Sequence, residues 1–137
     1  MGRVLALDYG KRRTGIAITD ELQLIASGLT TVDNDDLMKF LKAYMNSENV
    51  SGIVVGEPKQ MNSLPSESEA FIQPFIKRLA KQFPQIPIYR QDERFTSKMA
   101  VQSLLQAGVK KKQRRNKALV DEVSATLILQ AYLNRIQ

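Results

Sequence analysis

The chain has 137 residues, a mass of 15.5 kDa and a net charge of +6, from 20 basic and 14 acidic side chains. It contains neither cysteine nor histidine. That excludes disulfides, thiolate metal sites, thiol nucleophiles and every mechanism built on an imidazole base. Catalysis, if present, must use carboxylates, lysine, tyrosine, hydroxyls or a bound metal ion. The length predicts one domain spanning residues 1–137, and a hydrophobic fraction of 43% is enough for a core. The basic balance favours a polyanionic partner. Residues 1–8 lack a basic segment followed by a long apolar run, and no stretch approaches 18 apolar residues. A cytoplasmic protein without a membrane span is therefore expected.

In chain order, residues 3–8 (RVLALD) are a short apolar run ending in an acid and predict a buried strand. Residues 9–13 (YGKRR) make a turn. Residues 14–20 (TGIAITD) and 24–32 (LIASGLTTV) read as the second and third strands. The short links between these three predict an antiparallel meander. Asn34 or Asp35 can cap a helix over 37–46, where Leu37, Met38, Leu41 and Met45 share one face. Residues 50–56 (VSGIVVG) predict a fourth strand, and the polar stretch 59–68 a flexible loop. Ser66 and Glu69 have the spacing of a capping box for a helix over 67–83. Residues 86–90 (IPIYR) predict a fifth strand. Thr96 or Ser97 caps a third helix that stops at Gly108, and a last helix covers 117–136. The order β-β-β-α-β-α-β-α-α predicts an α/β fold. Its mixed five-stranded sheet combines a three-strand antiparallel meander with two parallel strands, flanked by helices.

Sites in open α/β sheets form outside the carboxyl ends of the parallel strands. The first strand ends at Asp8, the fourth at Gly56-Glu57, and the fifth leads to Asp92-Glu93. Asp121 in the last helix shares a stripe with Ala125, Ile128, Leu129 and Tyr132. An acid on an apolar stripe needs a cation, a hydrogen-bond network or a metal. The small Ser124 and Ala125 allow the helix to approach the sheet closely there. Carboxylates converging without histidine or cysteine suit Mg²⁺ or Mn²⁺, and such ions support phosphodiester hydrolysis. Each acid also has a plain structural role open to it: Asp8 in a turn, Asp92 or Glu93 paired with Arg90 or Arg94, Asp121 at a helix start.

Basic residues flank these acids. Lys11, Arg12 and Arg13 follow Asp8. Residues 110–117 (KKKQRRNK) hold six Lys/Arg in eight positions and precede Asp121. With Arg94, the candidates for nucleic-acid contacts are Lys11, Arg12, Arg13, Lys110, Lys111, Lys112, Arg114, Arg115 and Lys117. Aromatic residues do not alternate with these basic runs, so recognition of backbone and shape is expected rather than base stacking. The turn from Gly10 to Gly15 is followed by Ile16 and Ala17, not Lys and Ser/Thr, and is not a nucleotide P-loop.

Four segments, in order, carry a family resemblance: DYGKRRTG from Asp8 to Gly15, VVGEP from Val54 to Pro58, DERFTS from Asp92 to Ser97, and DEVSA from Asp121 to Ala125 continuing into ILQAYL. Together the chain resembles the YqgF family, related to the RuvC-type Holliday-junction resolvases. The resemblance implies an RNase H-like fold and a nuclease with a metal site of Mg²⁺ or Mn²⁺. It matches Asp8, Glu93 and Asp121 to the catalytic, metal-holding acids. Neighbouring strand residues face opposite ways, so only one of Asp92 and Glu93 can be a direct ligand, and the resemblance favours Glu93. Glu57 departs from the family, which usually has an apolar residue there. It ranks below the other three, as an extra ligand or a surface residue. The resemblance also implies a role in ribosome biogenesis, maturing the 5′ end of the small-subunit (pre-16S) ribosomal RNA precursor, with resolution of four-way DNA as the alternative. Structured RNA is the favoured partner and branched DNA the second, with the chain a monomer or weak homodimer. A non-catalytic RNA-binding factor for ribosomes or transcription complexes is a further class. A nucleotide phosphohydrolase of the actin and sugar-kinase type would need two such domains.

Overall fold

The computed structural model describes residues 2–60, 62, 64–94, 96–110 and 116–136. The elements, in order, are β1 (Arg3–Tyr9), β2 (Arg13–Thr19), β3 (Ala26–Asp33), α1 (Asn34–Ser47), β4 (Val50–Glu57), α2 (Glu69–Gln82), β5 (Ile88–Asp92), α3 (Thr96–Gln106) and α4 (Lys117–Ile136). Their order is the one expected from the sequence. The sheet runs β3-β2-β1-β4-β5. The first three strands pair antiparallel, and β4 and β5 join β1 in parallel. This is the mixed α/β sheet the hydrophobic pattern called for.

Both faces of the sheet are covered, and strand alternation assigns each side chain to one of them. Leu5 and Leu7 of β1, Ile53 and Val55 of β4 and Ile88 of β5 pack with Leu37 and Leu41 of α1 and with Ile72, Phe75 and Leu79 of α2. Val4, Ala6 and Val54 face the other way, against Ala125, Ile128, Leu129, Tyr132 and Leu133 of α4. The stripe predicted for the last helix is thus its sheet-facing side. The full burial of Leu5, Leu7, Ile16 and Leu129 contributes about 1.5–3 kcal/mol for each side chain.

Several boundaries move for local reasons. Helix α1 starts at Asn34, with Asp33 at the cap making no side-chain cap bond, because the Asn34 side chain is engaged elsewhere. The Ser66–Glu69 capping box does not form. Ser68 occupies the cap position of α2, the Ser66 hydroxyl accepts from the Ser68 N–H at 3.3 Å, and Glu69 is drawn to Arg90 at 2.8 Å. A half-buried charged partner outcompetes a local cap. In the stretch read as a flexible loop, Lys59 and Pro65 form an antiparallel bridge. Strand β5 begins two residues later than expected and includes Asp92. Helix α3 ends as expected, with Gly108 at φ 76°. Helix α4 is capped by Asn116, whose Oδ1 accepts from the Ala118 N–H at 3.0 Å.

Helix α4 meets the sheet at glycines. A Cβ on Gly15 would collide with the Asp121 carbonyl oxygen, and one on Gly28 would lie 2.6 Å from Glu122 Oε1. The closest approach is therefore one turn before Ser124 and Ala125, at the turn bearing Asp121 itself. The Thr31 hydroxyl fixes the same turn by donating to the Ala118 carbonyl at 2.6 Å. Gly15→Ala should lift the start of α4 and lower stability by about 3 kcal/mol, the upper part of the overpacking range. Urea unfolding followed by circular dichroism measures this, and an unchanged midpoint would refute the contact.

Candidate active site

Alternation along β1 puts Asp8 on the α4 face, in line with Val4 and Ala6. Its antiparallel partner across the strand is Gly15, the residue against which Asp121 rests. On the other side, Gly56 follows Val55, the β4 partner of Leu7. A Cβ on Gly56 would lie 2.7 Å from Glu93 Oε2 and 2.9 Å from Ile128 Cδ1. Asp8 therefore has a glycine on each flank, and each glycine leaves room for an acid from another element.

The backbone of Glu93 is tied at three points. Its N–H donates to the Glu57 carbonyl at 3.1 Å. Its own carbonyl accepts from the Thr96 N–H at 3.1 Å and the Thr96 hydroxyl at 2.9 Å. The Glu93 carboxyl is hydrogen-bonded to Asp8. Burial, followed by the charge of Asp8, pushes Glu93 up to about 9. Burial also pushes Asp8 up to about 6, against the lowering effect of the Glu93 hydrogen bond, with Asp121 adding like-charge repulsion. The pair accordingly shares a proton at neutral pH. Burial raises Asp121 as well, although Arg13 Nε donates to its Oδ2 at 2.6 Å.

The other acids at this edge each have a cation. Glu57 Oε1 is 3.4 Å from Lys59, Asp92 Oδ2 is 2.8 Å from Arg94, Glu69 is held by Arg90, and Asp121 by Arg13. Asp8 and Glu93 have chiefly each other. Among the described residues no three acids stand grouped as one ready-made cation cage. The donors are nonetheless hard oxygens, and Asp8 and Glu93 are buried beside each other with raised pKa values. That set suits Mg²⁺ or Mn²⁺.

These acids line a cleft of about 510 Å³. Its wall includes Tyr9, Phe71, Ile72 and Pro58, and its basic residues are Lys11, Lys59, Arg94 and Lys98. Asp8, Glu93 and Asp121 meet in this cleft as their sequence positions suggested. Glu57 does not join them. It shares strand parity with Ile53 and Val55, which face α1 and α2, and it pairs with Lys59. Asp92 also lies away, bonded to Arg94. Of the basic candidates, Lys11 and Arg94 line the cleft. Arg12, Lys110 and Lys117 are exposed. Lys111, Lys112, Arg114 and Arg115 lie outside the described residues. Arg13 is paired with Asp121.

Sequence reasoning missed Lys59, Lys98, Phe71 and Asn34. Lys59 follows the carboxyl end of a parallel strand, so the rule that located the acids could have found it. Lys98 and Phe71 look like ordinary helix residues until the helices are placed. Asn34 is concealed as a helix-start residue. Its Nδ2 donates to the Gly10 carbonyl at 2.7 Å, its Oδ1 accepts from the buried Thr14 hydroxyl at 2.7 Å, and its N–H donates to the Arg12 carbonyl at 2.8 Å. It thereby pins the turn that carries Lys11 and Arg12 beside Asp8.

The shared proton sets a pH dependence. The folded pKa values of Asp8 and Glu93 lie above their ordinary values of 3.8 and 4.5. The stabilisation from proton uptake is complete below those ordinary values and is lost as pH rises through the folded ones. In EDTA, the melting temperature should fall between pH 5 and pH 9. Mn²⁺ should raise it most at the alkaline end, where it replaces a proton already lost. Scanning calorimetry across that range tests this, and a melting temperature that climbs with pH in EDTA would contradict it.

Known proteins resemble this chain in sequence and in fold. The family model described as RuvX, Holliday junction resolvase, matches residues 2–135. Relatives named as candidate pre-16S rRNA nucleases include one from Christiangramia forsetii, 61% identical over 97% of this chain and 98% of its own. Another, from Flavobacterium psychrophilum, is 56% identical over 98% of each. A third, from Bacteroides thetaiotaomicron, is 55% identical over 97% of this chain and 96% of its own. Among solved structures, T. thermophilus RuvC in complex with a Holliday junction substrate superposes with a TM-score of 0.58, at 16% identity, over 99% of this chain and 96% of that one. That likeness establishes the RNase H-like fold. The chain belongs to the RuvX family, the YqgF family of its sequence motifs, and is a nuclease.

Proposed function

We propose that this nuclease is a single-domain, cytoplasmic, divalent-metal-dependent enzyme that cuts structured precursor RNA, maturing the 5′ end of the small-subunit ribosomal RNA, and acts as a monomer or weak homodimer. The observation that carries the metal dependence is the Asp8–Glu93 pair, two carboxylates without dedicated cations that share a proton at the floor of a basic-rimmed cleft. Asp8, Glu93 and Asp121 would hold Mg²⁺ or Mn²⁺. Such an ion would supply an activated water and charge neutralisation at the phosphate. Glu57, on the opposite face, is outside this set.

The chain's own residues then bind and orient the strand. Lys11, Lys59, Arg94 and Lys98 line the cleft and Arg12 stands on the turn beside it, so phosphates on either side of the scissile bond meet positive charge. These contacts read backbone and shape, which suits a structured RNA more than a fixed sequence. The names of the relatives support the RNA substrate. The family description and the RuvC likeness support a second substrate, four-way DNA, but cutting a junction symmetrically requires two sites and hence a stable dimer. No described helix is long and apolar enough to cross a membrane.

Asp8→Asn and Asp121→Asn should each lower the cleavage rate by about three orders of magnitude, equivalent to several kcal/mol of lost charge stabilisation, with the fold intact. Glu57→Gln should stay within about threefold of wild type, well under 1 kcal/mol by the same conversion. A gel-resolved panel of precursor rRNA, single-stranded RNA and a four-way DNA junction, with Mg²⁺, Mn²⁺ or EDTA, measures these outcomes. Cleavage that persists in EDTA, or in both Asn variants, would sink the metal assignment. Cutting of the junction alone would move the substrate to branched DNA.

A further inference from the structure

The basic run Lys11-Arg12-Arg13 invites one role for three residues, and the structure divides it. Lys11 and Arg12 are exposed on the turn after β1, whereas Arg13 is half-buried. Arg13 is the first residue of β2 and shares strand parity with Gly15 and Ala17, which face α4. Its backbone is fixed: the carbonyl accepts from the Gly10 N–H at 3.0 Å, and the residue pairs with Asp33 of β3. From this anchored position Nε donates to Asp121 Oδ2 at 2.6 Å, with the two side chains 33% and 27% exposed. The bond occupies Oδ2, and Oδ1 takes no part in it.

We infer that Arg13 is a positioning residue for Asp121 and not a phosphate contact: it holds the carboxylate by Oδ2 so that Oδ1 stays available at the cleft. This rests on the metal reading of the site. Asp121 and Asp8 repel each other. A lone aspartate on the first turns of a helix has several rotamers, and that repulsion favours those leading away from the cleft. Arg13 offsets the repulsion and fixes one rotamer. Groups that hydrogen-bond to a metal-holding carboxylate set its orientation, and their loss typically weakens metal binding about 10–100-fold. The same ion pair engages the Arg13 charge with a carboxylate in place of a phosphate.

The two roles leave different signatures, read on the full-length protein without turnover. The first measurement is a titration with Mn²⁺ alone, followed by thermal shift and calorimetry. Arg13→Gln should raise the half-saturating Mn²⁺ concentration by about 10-fold or more, and Arg13→Lys, which keeps a donor and a charge, should recover part of the loss. In an Asp121→Asn background, Arg13→Gln should cost nothing further, because the group it positions is gone. The second measurement is the salt dependence of binding to a hairpin RNA with a single-stranded 5′ leader, in EDTA. The log–log slope should be unchanged in Arg13→Gln and should fall by about 0.7–0.9 in Arg12→Gln, the value of one phosphate contact. An unchanged or tighter Mn²⁺ titration in Arg13→Gln, or an equal loss in the Asp121→Asn background, overturns the inference, as does a reduced salt slope with normal Mn²⁺ binding. A wild-type protein with no Mn²⁺ response would instead overturn the metal site. If Arg13→Gln fails to fold, the Arg13→Lys titration decides between the same outcomes.

Discussion

The site depends on two absent side chains. Asp8 stands on the α4 face of the central strand between Gly15 on β2 and Gly56 on β4. A methyl group at either glycine would occupy the place of Asp121 backbone or of the Glu93 carboxylate. Close packing leaves no slack at such contacts, so the two glycines determine how near the acids can come. Helix α4 can lie on the sheet only by passing over Gly15, and that contact sets the height of Asp121 above Asp8. Its length then carries Ile128 to Gly56 and Tyr132 to Tyr89. A packing constraint thus becomes an electrostatic one, since it presses like charges together.

The electrostatics of the edge follow from this crowding. Most acids there are compensated locally by arginine or lysine, and several of those cations also brace the fold. Arg90 binds Glu69 and donates to the Val55 and Gly56 carbonyls, so one guanidinium joins α2 to the ends of β4 and β5. Asp8 and Glu93 are the exception, and burial, reinforced by like charge beside each, raises their pKa values. A perturbed pair at the carboxyl ends of parallel strands, in a cleft, is the arrangement expected of a functional site. Arg90 and Arg13 are drawn into pairs with Glu69 and Asp121.

Family membership and geometry constrain different things. The match over nearly the whole chain gives the nuclease class. The RuvC likeness, at low identity, gives the fold. Neither chooses between RNA and four-way DNA, because related sites on one fold serve different substrates. That choice lies in the surface around the acids: which phosphates the rim can span, and whether two copies present their clefts together.

Element order, the α4 stripe and the candidate acids were legible in the sequence because each rests on short-range periodicity. Alternation marks strands, 3.6-residue spacing marks helices, and an acid at the end of an apolar run marks a strand's carboxyl end. The preference for Glu93 over Asp92 follows from the same alternation, together with the family motif. Tertiary structure decided what depends on partners distant in the chain. Glu69 lost its capping role to Arg90, 21 residues away. Arg13 turned from a basic run to Asp121, 108 residues away. Glu57 fell on the wrong face once β4 was paired. Asn34 became the clasp of a turn that precedes it in sequence. Such pairings are set by which charged or polar groups are desolvated together, and local pattern carries no information about that.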